Sequence, residues 1–174
     1  MTKIINLYGG PGTGKSTTAA GVFYTLKQKG VSCELVTEFA KDLTWDESYI
    51  QLRNPIYVFA EQHHRLFRLD DKVDYIVTDS PLLLSVVYNK IYGELSEVFD
   101  ELVFDQACTQ DAVHIYLNRV KPYVTAGRNE TFEQACNIDL QIKRLLEENV
   151  EHYTVTADQS AINGVLDIIG KRHD

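Results

Sequence analysis

The chain has 174 residues, 44% of them hydrophobic and 24% charged, and its 17 lysines and arginines against 25 aspartates and glutamates give a formal net charge of −8. That length suits one compact domain able to bury most of its apolar surface. The acidic balance argues against a broad electrostatic footprint for duplex DNA or an anionic membrane, and leaves room only for a local basic lip.

Cys33, Cys108 and Cys136 form no CxxC pair and have no histidine at ligand spacing, so neither a zinc site nor a disulfide framework is indicated and reduced, partly buried thiols are expected. The opening MTKIINLYGG runs too soon into glycine for a signal-peptide core, and no apolar run reaches membrane-spanning length. A cytoplasmic chain with no membrane partner is the expectation.

In chain order, runs rich in β-branched residues alternate with longer helical patterns, the mark of βαβ construction around a mostly parallel sheet. A first strand covers about 3–8, and a helix runs from Lys15 to about Lys29 with Gly30 as its C′ residue. VSCELVT, 31–37, is the second strand. After EFAKDL and a charged segment, PIYVFAEQHHRLFRL puts Ile56, Phe59, His63, Leu66 and Phe67 on one helical face, with Gln62 and Arg65 projecting elsewhere. DYIVTD, 74–79, is the third strand. Pro81 then opens a helix, and another covers roughly 96–109. AVHIYLN closes the fourth strand at Asn118. The next stretch, RVKPYVTAGRNE from Arg119 to Glu130, carries cations, a proline and a glycine without a period, and reads as a mobile loop where a lid would lie. Thr131 with Gln134 resembles a capping box for a helix to about Asn149, before a fifth strand, EHYTVT, and a closing helix. No repeat or linker interrupts this single-domain pattern.

The chemistry begins at GGPGTGKST, Gly9 to Thr17. Gly9-x4-Gly14-Lys15-Ser16 satisfies the P-loop pattern between a strand and a helix. Gly9, Gly10, Gly12, Thr13, Gly14, Lys15, Ser16 and Thr17 would cradle the phosphates of ATP through backbone N–H groups and the helix N-terminus. Lys15 would reach the β- and γ-phosphates and the Ser16 hydroxyl would bind Mg²⁺. Asp79 closes an apolar strand, where it suits a carboxylate holding the metal's water shell or, alternatively, a cap for the helix opened by Pro81. Glu38, at the corresponding end of the second strand, is a candidate base for an attacking hydroxyl, with Asp42 its rival. Arg119 and Arg128 flank the loop after the fourth strand, with Lys121 between them, and could neutralise charge on the transferring phosphoryl group. Gln62 and Arg65 are candidate acceptor contacts. His63 is expected to be packed, and Tyr49, Tyr57, Phe59 and Phe67 could stack on a base, although core packing suits most of them.

With these residues placed, the whole chain resembles small P-loop kinases of the nucleoside and nucleotide kinase class. The resemblance implies a three-layer α/β/α sandwich with a five-stranded parallel sheet of order 2-3-1-4-5. More closely, GGPGTGKST, VTDSPLL and PYVTAGR look like the ribosylnicotinamide kinase-like proteins common in bacteriophage genomes, relatives of which act on nucleotides or on 5-hydroxymethyluracil within DNA. Residue by residue, the resemblance gives Gly9, Gly14, Lys15 and Ser16 to ATP, Asp79 to Mg²⁺ and Arg128 to the lid. The chain departs from the deoxynucleoside kinase pattern in having Asp79 rather than a Glu-Arg-Ser run after the third strand. The expected acceptor is a hydroxyl on a nucleoside-like group, free or in hydroxymethylated DNA. A DNA acceptor would need a flipped base and a basic lip such as Lys121, Arg128, Lys143 and Arg144. The reading also admits a homodimer. A GTPase switch would need an Asn-Lys-x-Asp guanine reader, which the chain lacks, and an oligomeric motor ATPase would need a further helical domain. A nucleotide sensor without a small acceptor would need neither Glu38 nor a cationic lid.

Overall fold

The computed structural model describes residues 2–92, 95–120, 122–124 and 130–171; Lys121 and Arg128 of the expected lid lie outside the described residues. Its five strands, β1 (Lys3–Tyr8), β2 (Cys33–Val36), β3 (Tyr75–Thr78), β4 (Ala112–Asn118) and β5 (His152–Thr156), form one sheet of order β2-β3-β1-β4-β5. All four pairings are parallel, with Ile5 opposite both Val77 and Val113. The order is the expected 2-3-1-4-5, the P-loop NTPase arrangement.

A parallel sheet covered on both faces needs nearly continuous apolar strands, and β1 and β3 supply them: every residue of β3, and all but the first of β1, is buried. Alternation along β1 divides the core. Ile4 and Tyr8 face one apolar cluster with Ile76, Val87, Val103 and Ile142, while Ile5 and Leu7 face the other with Val22, Val77, Val113 and Val165. The first layer is built from α4 (Pro55–Phe67), α5 (Leu84–Tyr92), α6 (Glu97–Cys108) and α7 (Phe132–Asn149), and the second from α1 (Lys15–Gln28) and α8 (Ala161–Gly170). Each fully buried large aliphatic side chain in such a layer contributes about 1.5–3 kcal/mol relative to an exposed one.

Helix ends follow their chemistry. Gly30, at φ +76°, takes the left-handed turn after α1, and Pro55 stands in the first turn of α4 behind Asn54, whose side chain accepts from the Tyr57 N–H. Thr131 and Gln134 form the full capping box: Thr131 Oγ1 accepts from the Gln134 N–H at 3.2 Å and Gln134 Oε1 from the Thr131 N–H at 2.7 Å.

Residues 39–52, to which the sequence pattern assigns no element, form two helices, α2 (Phe39–Trp45) and a short α3 (Tyr49–Leu52). Two sequence expectations need correction. On α4 the buried stripe is Phe59, Gln62 and Leu66, whereas Ile56 and Phe67 are exposed. Gln62 can lie in that stripe because the backbone of 37–39 satisfies its amide, so its burial costs little. His63 sits on the helix flank, its ring stacked 5.9 Å from that of Phe67. Finally, Pro81 does not open α5. Residues 81–86 pass through successive i→i+3 bonds, from Leu84 to Pro81, Ser85 to Leu82 and Val86 to Leu83, and the helix begins at Leu84. Asp79 is therefore too far upstream to cap it.

Replacing Thr131 by alanine removes the cap acceptor for α7 and is expected to lower the unfolding free energy by about 1 kcal/mol. Urea denaturation at constant slope checks this. An unchanged midpoint would show that the box contributes nothing to the fold.

Candidate nucleotide and acceptor site

The loop from Gly9 to Gly14 leaves the buried end of β1 and enters α1, whose first i→i−4 bond runs from the Thr18 N–H to the Gly14 carbonyl at 2.9 Å. The N–H groups of Lys15, Ser16 and Thr17 precede that bond and lack helical partners, which makes the helix start an anion-receiving end. Gly9 and Gly14 have φ of +148° and +103°, and a β-carbon on Gly9 would lie 2.6 Å from Thr13 Oγ1. Lys15 is buried, with Nζ donating to the Gly9 carbonyl at 2.7 Å and the Gly10 carbonyl at 3.3 Å. Thr13 Oγ1 donates to the Gly10 carbonyl at 3.0 Å, while Ser16 and Thr17 are exposed toward a cleft of about 840 Å³. Gly12 also borders that cleft.

Because β3 pairs directly with β1, Asn6 opposite Thr78, Asp79 emerges beside the P-loop. It is 2% exposed, and its Oδ1 has no hydrogen-bond partner among the described residues. An orphaned buried carboxylate oxygen carries a desolvation cost that a hydrated cation would offset, so the donor set fits a Mg²⁺ water shell reached from Asp79 and Ser16. Among the described residues no cluster of three or more His, Cys, Asp or Glu forms a dedicated metal cage.

Glu38 enters from the next strand over. It is the N-terminal flank of α2, makes no side-chain cap, and lines the same cleft as Lys15, Ser16 and Ser80. Burial raises its carboxyl pKa above the ordinary range; Lys15 opposes the shift, Asp79 and Glu130 add to it, and Lys41 lowers it. Asp42 takes another path. Its Oδ2 accepts from Arg65 Nη2 at 2.6 Å, and neither residue lines the cleft. Arg65 also donates to the Thr37 carbonyl at 3.4 Å and lies 4.9 Å over the Phe39 ring, so it braces the β2–α2 junction rather than reaching toward an acceptor. Gln62 lines the cleft, but its amide is committed to backbone: Oε1 accepts from the Phe39 N–H at 2.9 Å and Nε2 donates to the Thr37 carbonyl at 3.4 Å. These bonds grip the residues on either side of Glu38 and fix its position.

Arg119 is held against the P-loop. Its Nε donates to Asp139 Oδ2 at 2.6 Å and its Nη2 to the Pro11 carbonyl at 2.7 Å, so it is bonded to the P-loop backbone instead of standing free on a closing loop. Arg128 lies outside the described residues. Of the aromatics singled out, Tyr49 lines the cleft, Phe59 packs on Phe99 in the core, Tyr57 packs on Phe39, and Phe67 is exposed against His63. The same cleft is lined by residues the sequence reading did not pick: Trp45, Tyr88, Tyr92, Lys41 and Arg53. The rings of Tyr88 and Tyr92 are stacked 6.2 Å apart at 4°, and Tyr92 Oη donates to Glu130 Oε1 at 3.3 Å. Their spacing of four on an apolar helix was the one available sequence signal.

A profile of the AAA domain family matches residues 4–161, and the chain belongs to that family. No curated protein matches the sequence. Among solved structures it is similar to a NadR protein in complex with NAD and AMP-PNP, at a TM-score of 0.65 and 14% identity, covering 98% of this chain and 49% of that one. It is also similar to the Mycobacterium tuberculosis APS kinase CysC Cys556Ala mutant, at a TM-score of 0.52 and 16% identity, covering 99% of this chain and 98% of that one. The chain thus spans about half the length of the NadR protein. At these identities the likeness establishes the shared P-loop fold. Among the described residues no helix is long and apolar enough to cross a membrane.

Replacing Gln62 by leucine would leave the buried Phe39 N–H without an acceptor and is expected to cost about 1–3 kcal/mol of stability. Chemical denaturation reads the loss. Wild-type stability would mean that the Phe39 N–H finds another partner.

Proposed function

We propose that this chain, as an AAA domain family member with a complete P-loop, is an ATP-dependent phosphotransferase that moves the γ-phosphate to a hydroxyl of a nucleoside-like acceptor. One observation carries the reading: Glu38, a carboxylate with a raised pKa, lines the same cleft as Lys15, and aromatic side chains line that cleft too. A sensor that only binds nucleotide has no use for a base so placed. The ATP analogue in the similar NadR structure supports ATP as the donor. Ser16 and the orphaned Asp79 oxygen support Mg²⁺ as the second cofactor.

In the proposed reaction the P-loop N–H groups and Lys15 hold the phosphates, and Ser16 and Asp79 would hold Mg²⁺, which would supply further neutralisation of phosphate charge. The Glu38 carboxylate accepts the acceptor's hydroxyl proton as the new O–P bond forms. The bond from Pγ to the bridging oxygen breaks, and ADP leaves with that electron pair. Trp45, Tyr49, Tyr88 and Tyr92 offer flat surfaces on which an acceptor ring can stack. Lys41 and Arg53 supply positive charge in the same cleft for a phosphate-bearing acceptor, whether a free nucleotide or 5-hydroxymethyluracil in phage DNA. We assign Arg119 to the P-loop backbone, and keep the lid role for Arg128 alone, in a loop at about 119–130 of a single domain. Residence in the cytoplasm, that of the host if the chain is phage-encoded, and a homodimer belong to the same proposal.

Radiolabelled γ-phosphate offered to nucleosides, ribosylnicotinamide, monophosphates and hydroxymethyluracil-containing DNA tests the reading. Transfer to at least one of them is expected, and salt-suppressed label in DNA would select the DNA branch. Hydrolysis without transfer across the whole panel would overturn the nucleoside-like acceptor. Lys15→Ala is expected to abolish transfer while circular dichroism and melting temperature stay near wild type.

The raised Glu38 pKa sets the pH dependence. A base works only when deprotonated, so the rate is expected to fall as pH drops through a value above the ordinary glutamate range of about 4.3. Glu38→Gln should remove that acid limb and lower the maximal rate by about 10²–10⁴ while ATP binding is kept. Because the fold disfavours the ionised form, the same change should leave the melting temperature at neutral pH equal or higher. A full rate in Glu38→Gln would remove Glu38 from the mechanism.

A further inference from the structure

We propose that Asp139 and Arg119 form a positioning clamp that holds the Gly10–Pro11 segment of the P-loop in its phosphate-receiving shape, so that nucleotide affinity depends on an ion pair outside the P-loop motif. The inference rests on the nucleotide-binding part of the reading above and does not need phosphoryl transfer.

The two ends of that dipeptide are gripped at once. Asp139 Oδ1 accepts the Gly10 N–H at 2.5 Å, its Oδ2 accepts Arg119 Nε–H at 2.6 Å, and Arg119 Nη2 donates to the Pro11 carbonyl at 2.7 Å. Both side chains of the pair are 11% exposed. The pair therefore works in a low-dielectric setting, where geometry decides its strength and loss of either partner strands a charge. Asp139 is carried by α7, fixed at its start by the capping box, and Arg119 follows the last residue of the interior strand β4. Two rigid elements thus converge on a loop that has no ladder bonds of its own to define it.

The sequence carries a trace of the same contact. The P-loop pattern asks for Gly9, Gly14, Lys15 and Ser16, but leaves position 10 open. Glycine occupies it here, and a β-carbon there would lie 2.7 Å from Asp139 Oδ1 and 2.8 Å from the Ala135 carbonyl. The second glycine of the pair is explained by the approach of α7. The clamp also bears on Lys15, because the Gly10 carbonyl that receives its ammonium at 3.3 Å belongs to the clamped segment. Moving this segment moves the seat of the lysine, and with it the phosphate site.

Asp139→Asn and Arg119→Lys test the clamp. Asparagine still offers an oxygen to Gly10 but turns an amide donor toward Arg119, and lysine keeps the charge but cannot make both bonds. Calorimetric titration with MgADP and with MgATP is expected to show nucleotide binding weakened about ten- to a hundredfold in both variants, the range for losing a charge-assisted hydrogen bond. The KM for ATP should rise with the loss of affinity while the KM for the acceptor stays close to wild type, a split that a general loss of folded protein would not give. Arg119→Lys serves alone if Asp139→Asn does not fold. Wild-type nucleotide affinity in the folded variants, whatever their melting temperatures, would overturn the proposal. Weakened binding in a protein that phosphorylates no acceptor would uphold the clamp while removing the phosphotransferase reading.

Discussion

The parallel pairing of β3 with β1 is the constraint on which the site depends. With Asn6 opposite Thr78, the P-loop and Asp79 leave the sheet at the same level, and the pairing of β2 with β3, Val36 opposite Thr78, brings Glu38 to that edge as well. None of these residues needs to be steered by a long loop. The apolar side chains of β1 and β3, buried on both faces, fix the register, and the charged residues at the strand ends inherit their positions from it.

That dependence explains what could be read from the amino-acid order and what could not. The strand ends were legible because apolar runs stop abruptly at Gly9, Asp79 and Asn118, and α7 was legible because Thr131 and Gln134 sit at cap spacing before an apolar period. The α4 face was misjudged. Counting apolar residues favoured Ile56 and Phe67, whereas a buried glutamine took the inner stripe by bonding to backbone that lies 23 and 25 residues away. The setting of Arg119 was hidden for a related reason: a cation in a loop looks the same in sequence whether it faces solvent or an aspartate 20 residues later. Trp45, Tyr88 and Tyr92 came to line the cleft through helix packing, and only the spacing of four between the two tyrosines hinted at it.

The cleft also shows how an ionisable group is tuned without a dedicated partner. Glu38 is pushed toward its neutral form by burial and by the nearby carboxylates Asp79 and Glu130, and held back by Lys15 and Lys41. Bound phosphates would draw on the same Lys15 charge, and a bound cation would offset that of Asp79. The proton affinity of Glu38 is therefore set jointly by every charge in the cleft, and a change at any of them is felt as a change in basicity. Gln62 has the separate task of keeping the Glu38 backbone still while those charges vary.

The bonds from Asp139 to Gly10 and from Arg119 to Pro11 join residues 129 and 108 positions apart. Such contacts form late, since most of the chain must be ordered before they can close. During synthesis the whole GGPGTGKST stretch precedes β4 and α7, the elements that define its shape. A growing or truncated chain thus carries the motif in full while lacking its supports. The phosphate site is a product of completed folding, and ligand arriving at that stage would favour the finished domain over its precursors.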